Sequence, residues 1–120
     1  MKDRDPSLYL THVLESIELA RAYLEGVDFR RFRESQQLQD AVIRRIEIIG
    51  EAVKNLPAEM RASAPGVPWR RIAGMRDKVV HDYMGVDIEL VWTVVQRDLP
   101  ELAQEVRGLL EQRRGDEGPG

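Results

Sequence analysis

The sequence has no cysteine, only two histidines and no long apolar run among its 120 residues. Without cysteine there are no disulfides, no thiolate zinc site and no cysteine nucleophile. Two histidines, His12 and His81, are few for a transition-metal site in one protomer, so we expect neither a metal nor another cofactor. No apolar stretch approaches the roughly 18 residues of a membrane span, and the N-terminal MKDRDPS lacks the apolar region of a signal peptide. We therefore expect a cytoplasmic protein without a membrane partner.

Acidic residues slightly outnumber basic ones, 21 against 18, and the net charge is −3. This balance argues against a protein that binds nucleic acid strongly through charge alone. Arginines nevertheless occur in adjacent pairs, such as Arg44–Arg45 and Arg70–Arg71. Each pair is most simply a solvated helix face, unless a dimer joins such pairs into a larger basic patch.

Apolar residues recur at three- and four-residue steps, which predicts a helical protein, and no alternating pattern typical of strands is present. The predicted helices begin, in chain order, at Pro6, near Asp28, at Gln36, after Pro68 and at Asp87. Residues 57–68 contain three prolines and are predicted to form a loop. Pro100 must kink the last helix or split it into two coaxial pieces. The expected fold is all-α, an antiparallel four-helix bundle with an additional short helix and a kinked last helix. It should form one domain over residues 1–113, followed by a disordered tail at 114–120.

Several residues make specific predictions about packing in this bundle. Gly50 lies inside the second long helix, where a glycine usually marks the close approach of another backbone. Ile43 and Ile48 lie off the apolar stripe of that helix and are candidates for contact with a partner subunit. Trp69 and Trp92 are expected to belong to the core.

Residues 74–85, GMRDKVVHDYMG, concentrate the chemically active side chains. A histidine such as His81 can take a proton near neutral pH, and Asp77 is placed to orient it. Arg76 can hold a phosphodiester through two parallel hydrogen bonds, and Tyr83 can donate a hydrogen bond or stack on a base. Histidine with arginine is a sufficient set for cleaving RNA without a metal, because the ribose 2′-hydroxyl is the nucleophile and arginine stabilises the developing charge. DNA lacks that hydroxyl.

The spacing of these residues leaves open how they meet. On a single helix Asp77 and His81 share a face, whereas Arg76 and His81 lie about 140° apart around the axis. Three arrangements remain: Arg76 reaches round the helix, the helix begins near Gly74 with Arg76 in its first turn, or a second copy completes the site across a two-fold axis. The ordinary alternative is a solvated helix face with a surface ion pair between Arg76 and Asp77. His12 is assigned no role.

The pattern Arg76-x4-His81-x-Tyr83 occurs in register with three flanking segments, RRIEIIGEAVKNLP, PWRRIAGMRD and YMGVDIELVW. Over residues 8–110 these features resemble the HEPN superfamily and, within it, the HepT-like proteins. The resemblance implies a HEPN four-helix bundle, usually a homodimer in which the Arg–His motifs of two protomers line a shared cleft.

The resemblance also implies a function, the toxin of a type VII HEPN/MNT toxin–antitoxin system. Such a toxin would be a metal-independent endoribonuclease acting on RNA, with His81 as general acid/base, Arg76 as phosphate clamp and Asp77 as orienting group. The antitoxin, an MNT-type nucleotidyltransferase, would neutralise it by adenylylating Tyr83, a substrate contact as well as the modified residue.

The sequence offers two further candidates for the site and two alternatives to the toxin function. Glu51 and Lys78 are additional candidates for the site, although a salt bridge is the ordinary alternative for Glu51. The protein is alternatively a non-catalytic binding partner and modification substrate of an MNT-type nucleotidyltransferase. A third reading makes it the harmless half of a pair in which the transferase is active.

Overall fold

The computed structural model describes residues 5–81 and 85–116, without the side chains of His81 and Asp116. Within these ranges the chain is almost entirely helical, which confirms the all-α prediction. The helices are α1 Pro6–Tyr23, α2 Phe29–Glu34, α3 Gln36–Lys54, α4 Ala58–Ala62, α5 Trp69–Ala73, α6 Met75–Val79, α7 Ile88–Thr93 and α8 Leu99–Asp116. A π-helical turn, Val94–Asp98, joins α7 to α8, and two short strands, β1 Val80–His81 and β2 Gly85–Val86, pair antiparallel.

The first and last helices run antiparallel and are joined by ion pairs. Arg107 lies 3.3 Å from Glu18, and Arg113 lies 2.8 Å from Asp5, so the end of α8 meets the start of α1. Asp5 also caps α1 by accepting a hydrogen bond from the backbone N–H of Ser7. That hydrogen bond, followed by the guanidinium of Arg113, holds the pKa of the Asp5 carboxyl below its usual value. The antiparallel bundle predicted from the sequence is confirmed.

The core is formed by the apolar stripes of α1, α3 and the segment from α7 to α8. Its fully buried side chains include Leu10, Val13 and Ile17 of α1, Val42, Ile46, Ile49 and Val53 of α3, and Val91 and Val106 of the C-terminal half. Phe32 of α2 closes one side of this core against Trp92, with ring centroids 5.5 Å apart, and Phe29 meets the same indole edge-on at 5.7 Å. Trp92 therefore packs in the bundle as predicted.

The segment between α3 and α5 is more regular than the sequence indicated. Residues 58–62 form a helical turn, α4, so the prediction of a continuous loop is wrong for them. Pro57 precedes the helix, where its missing N–H costs nothing. Trp69 is buried, and its indole N–H donates to the carbonyl oxygens of Arg61 at 3.0 Å and Ala64 at 3.1 Å. This anchor explains why so short a helix forms, and it confirms Trp69 as a core residue.

The helix predicted after Pro68 is divided at Gly74 into α5 and α6, and it ends at Val79. Val80 is already extended, with φ −112° and ψ 117°, and pairs with Val86. The backbone N–H of Asp87 donates to the carbonyl of Val79 at 2.7 Å, which closes a small hairpin at the end of the helix.

This early end corrects two predictions. Asp77 and His81 do not share a helix face, because the chain leaves the helix before it reaches His81. The expectation of no strands is wrong for the two-residue pair in which His81 faces Gly85. Successive β-branched valines favour the extended backbone, and Gly85 has φ +83°, a left-handed conformation that glycine adopts readily.

The helix that contains Pro100 has a π-helical turn at Val94–Asp98, which ends two residues before that proline. Proline has no N–H for the carbonyl one turn earlier, and its ring crowds that carbonyl, so the helix widens locally. The helix then continues to Asp116, within the predicted tail, while residues 117–120 lie outside the described part. The domain limit at residue 113 stays a prediction. Among the described helices, none is both long and apolar enough to cross a membrane.

Gly50 allows α3 and α5 to approach closely, as its position in the sequence predicted. A Cβ placed on Gly50 would lie 3.0 Å from the carbonyl oxygen of Ala73 and 3.5 Å from that of Ile72. Ala73 directly precedes the break at Gly74. This contact therefore also fixes where α6 begins and, with it, the position of Arg76 in its first turn.

We expect Gly50→Val to lower the free energy of unfolding by about 1–3 kcal/mol, because the added methyl groups force α3 and α5 apart. Urea unfolding measures the effect. Gly108→Val in α8 is the matched control, since nothing lies within 4 Å of a Cβ at Gly108, and valine is slightly better than glycine within a helix. A Gly50→Val protein as stable as the Gly108→Val protein would contradict the close approach.

Candidate active site

A groove between α1, α3 and α6 contains Arg76 and Asp77 from the segment 74–85. It encloses about 550 Å³. Its lining side chains come from α1 (Tyr9, His12), α3 (Arg44, Glu47, Ile48, Glu51, Lys54), the end of α3 (Asn55) and α6 (Arg76, Asp77). Because α1 and α3 pack along each other, residues that are distant in the sequence meet here.

Arg76 lies in the first turn of α6, which begins at Met75 after Gly74. This is one of the three arrangements that the sequence left open. The Nε of Arg76 donates to Oε2 of Glu47 at 3.3 Å, and its Nη1 lies 3.6 Å from Oδ1 of Asp77. The guanidinium side chain is 47% exposed, so each pair contributes only about 0–1 kcal/mol to stability. Their main consequence is that they orient the arginine.

Glu47 connects this arginine to a second one. Its Oε1 lies 3.6 Å from Nη1 of Arg44, while its other oxygen accepts from Arg76. Together with Asp77, these residues form a chain of alternating charge along the groove. A phosphate that binds Arg76 must therefore compete with two carboxylates for the same guanidinium.

The groove of a single protomer is electrostatically balanced. Its cationic side chains are Arg44, Lys54 and Arg76, and its anionic ones are Glu47, Glu51 and Asp77. The formal charges of these six described side chains therefore sum to zero. Within residues 5–81 and 85–116, no group of three or more histidine, cysteine, aspartate or glutamate side chains is placed to hold a metal ion.

Of the other predicted site residues that the structure describes, one lies in this groove and one lies elsewhere. Glu51 lies in the groove, one helical turn from Glu47. Lys78 does not: it lines a different groove, between α6 and α8. The backbone of His81 pairs with Gly85, but its side chain and all of Tyr83 fall outside the described residues. The roles assigned to these residues stay predictions.

Sequence reasoning missed six of the groove's side chains: Tyr9, His12, Arg44, Glu47, Lys54 and Asn55. The sequence did contain a sign that Tyr9 and His12 belong together, because residues three apart on a helix share a face. That face meets Arg76 only through the packing of α1 on α3 and of α3 on α6, which local spacing does not reveal.

Comparison with known proteins gives a consistent family match. The family model described as HepT-like, "Ribonuclease HepT-like", matches residues 13–109. A protein of Caldanaerobacter subterraneus named "Putative RNase" is 40% identical over 92% of this chain and 99% of its own length. "Probable ribonuclease HepT" of Thermococcus cleftensis is 44% identical over 78% of this chain and 86% of its own length.

A longer relative shows that the same domain also occurs beside another. The Methanocaldococcus jannaschii protein named "Gamma-glutamylcyclotransferase and putative RNase" is 49% identical over 91% of this chain, but the chain spans only 49% of that protein. No solved structure matches.

Proposed function

Because this chain belongs to the HepT-like family of the HEPN superfamily, we propose that it is a metal-independent endoribonuclease that cleaves RNA through Arg76 and His81. The observation that carries the proposal is the groove beside α6, in which two carboxylates orient a half-exposed arginine toward a space bounded by α1 and α3. The relatives named as ribonucleases support the same class of reaction.

The proposed reaction is an internal transesterification of RNA. His81 takes the proton of a ribose 2′-hydroxyl, and the 2′ oxygen attacks the adjacent phosphorus. Arg76 replaces its carboxylate partners with the phosphate and stabilises the negative charge that develops on the phosphate oxygens. Asp77 would orient the imidazole of His81. Tyr83, two positions after His81, would contact the substrate. The products are a 2′,3′-cyclic phosphate and a 5′-hydroxyl.

We propose that the active species is a homodimer in which His81 of one protomer works beside Arg76 of the other. Apolar side chains outside the core support a partner surface. Leu8 and Leu19 of α1 are 39% and 40% exposed, and Ile48 is half-buried yet lines the groove. A two-fold contact through this apolar surface would place the charge-balanced grooves of the two protomers opposite each other.

The biological role that we propose is that of a toxin whose antitoxin is an MNT-type nucleotidyltransferase. Transfer of an adenylyl group to Tyr83 would place a phosphate within a few residues of His81. Such an anion would compete with the RNA phosphate for Arg76, which explains neutralisation without unfolding.

The purified protein is expected to cleave single-stranded RNA in the presence of a chelator and to leave 2′,3′-cyclic phosphate ends. A matched oligonucleotide with 2′-deoxyribose at the mapped cleavage site should remain intact, because it lacks the nucleophile. Gel electrophoresis with end-group analysis measures both results.

Two outcomes would count against the proposal. Cleavage that stops on chelation would refute metal independence. If no RNA from a total cellular pool is cleaved, while a nucleotidyltransferase still modifies the protein, the protein is a binding partner and substrate rather than an enzyme.

A further inference from the structure

His12, the second histidine of the chain, lies in the same groove as Arg76. Its neighbours Leu10 and Val13 are fully buried in the core, whereas His12 itself is exposed at the edge where α1 meets α3. Tyr9, one turn earlier, lines the groove too. The imidazole is therefore carried by a long, well-packed helix into the groove that also contains the arginine that we assign to the phosphate.

Cleavage of RNA by the 2′-hydroxyl requires two proton transfers. One proton leaves the attacking 2′ oxygen, and another must reach the departing 5′ oxygen, which is otherwise a poor leaving group. The proposed function assigns His81 to the first transfer, and a second imidazole on the side of the leaving oxygen would let both transfers take place in one step. Among side-chain types, only imidazole changes its protonation between pH 5 and 8 at its ordinary pKa.

We propose that His12 is a catalytic residue that donates a proton to the 5′ oxygen, an inference that rests on the proposed ribonuclease function. As the 2′ oxygen–phosphorus bond forms, the phosphorus–5′ oxygen bond breaks. The imidazolium of His12 gives its proton to the 5′ oxygen, while His81 holds the proton from the 2′-hydroxyl. Exchange with water then returns both imidazoles to their starting states.

The charges around His12 are compatible with this role. The titratable and charged side chains that share its groove are Tyr9 from its own helix, Arg44, Glu47, Glu51 and Lys54 from α3, and Arg76 and Asp77 from α6. The fixed charges of this set cancel, so a protonated His12 gives the groove a net positive charge. RNA would then meet an attractive site only when the acid is loaded with its proton.

The test uses an oligoribonucleotide that contains a mapped cleavage site, and a second version in which sulfur replaces the bridging 5′ oxygen. A thiolate leaves without needing a proton, so this substrate bypasses the general acid. We expect His12→Ala to cleave ordinary RNA about 10²–10⁴-fold more slowly than the wild type, and to cleave the sulfur-bridged RNA at close to the wild-type rate. His81→Ala should remain slow on both.

The controls separate a chemical role from a structural one. Glu15→Ala changes an exposed residue one turn further along α1 that does not line the groove, and it should behave as wild type. His12→Gln, which keeps a polar side chain of similar size, should share the defect and its rescue, and circular dichroism should show that both variants are folded.

Each possible result is informative. If His12→Ala cleaves ordinary RNA at the wild-type rate, or is equally slow on both substrates, His12 is not the acid and this inference fails while the proposed function stands. If the wild type cleaves neither substrate, the proposed function fails and this inference fails with it.

Discussion

His81→Ala is expected to reduce the rate of RNA cleavage by about 10²–10⁴-fold, because no other group in the proposed reaction takes the 2′-hydroxyl proton. The helical content and the urea midpoint should stay close to those of the wild type. The described contact of His81 is its strand pairing with Gly85, and alanine retains the backbone groups of that pairing. In cells the same substitution should abolish growth arrest. Cleavage assays, circular dichroism and growth curves measure these outcomes.

His81→Gln is the sharper companion variant. Glutamine can occupy a similar volume and form hydrogen bonds, but it cannot accept a proton near neutral pH. A folded His81→Gln protein that still cleaves RNA at the wild-type rate would show that His81 acts only as a structural or binding residue. The assignment of the proton transfer to His81 would then be wrong.

The helices were predictable where their signals are local. Asp5 and Asp87 accept hydrogen bonds from backbone N–H groups at the starts of α1 and α7, and such caps are recognisable from a few neighbouring residues. The long apolar stripes of α1 and α3 were equally clear. The helix α4 is too short for an apolar stripe of its own and is held by hydrogen bonds from the indole of Trp69, a contact that apolar periodicity does not register.

The candidate site was predicted in its residue types but not in its geometry. The motif identified Arg76 and Asp77, and the structure shows them in contact. A helix was assumed to continue to His81, but two successive valines and the return at Gly85 end it first. Glu47 approaches Arg76 from 29 positions away in the sequence. Gly50 permits the close packing of α3 on α5, and α6, which follows α5 directly, then brings those two side chains together.

Arg76→Ala is expected to lower the cleavage rate by about 10²–10³-fold, the usual effect of removing one group that stabilises developing negative charge. Stability should change little, since the ion pairs of Arg76 with Glu47 and Asp77 lie at the surface and are partly exposed to solvent. Arg76→Lys keeps the charge but loses the two parallel hydrogen bonds, so it should recover only part of the rate. Arg70→Ala removes an exposed arginine outside the groove and is the matched control.

Two inactive proteins can show whether the site is shared between protomers. Differently tagged Arg76→Ala and His81→Ala chains are co-expressed, so that mixed dimers form. If the arginine of one protomer works with the histidine of the other, each mixed dimer contains one intact site, and random pairing restores about a quarter of wild-type sites. Measured cleavage should recover accordingly. If the mixture stays as inactive as its parents although mixed dimers are isolated by their two tags, both groups act within one protomer. Arg76 must then reach His81 around the end of α6, and the shared site that we propose is excluded.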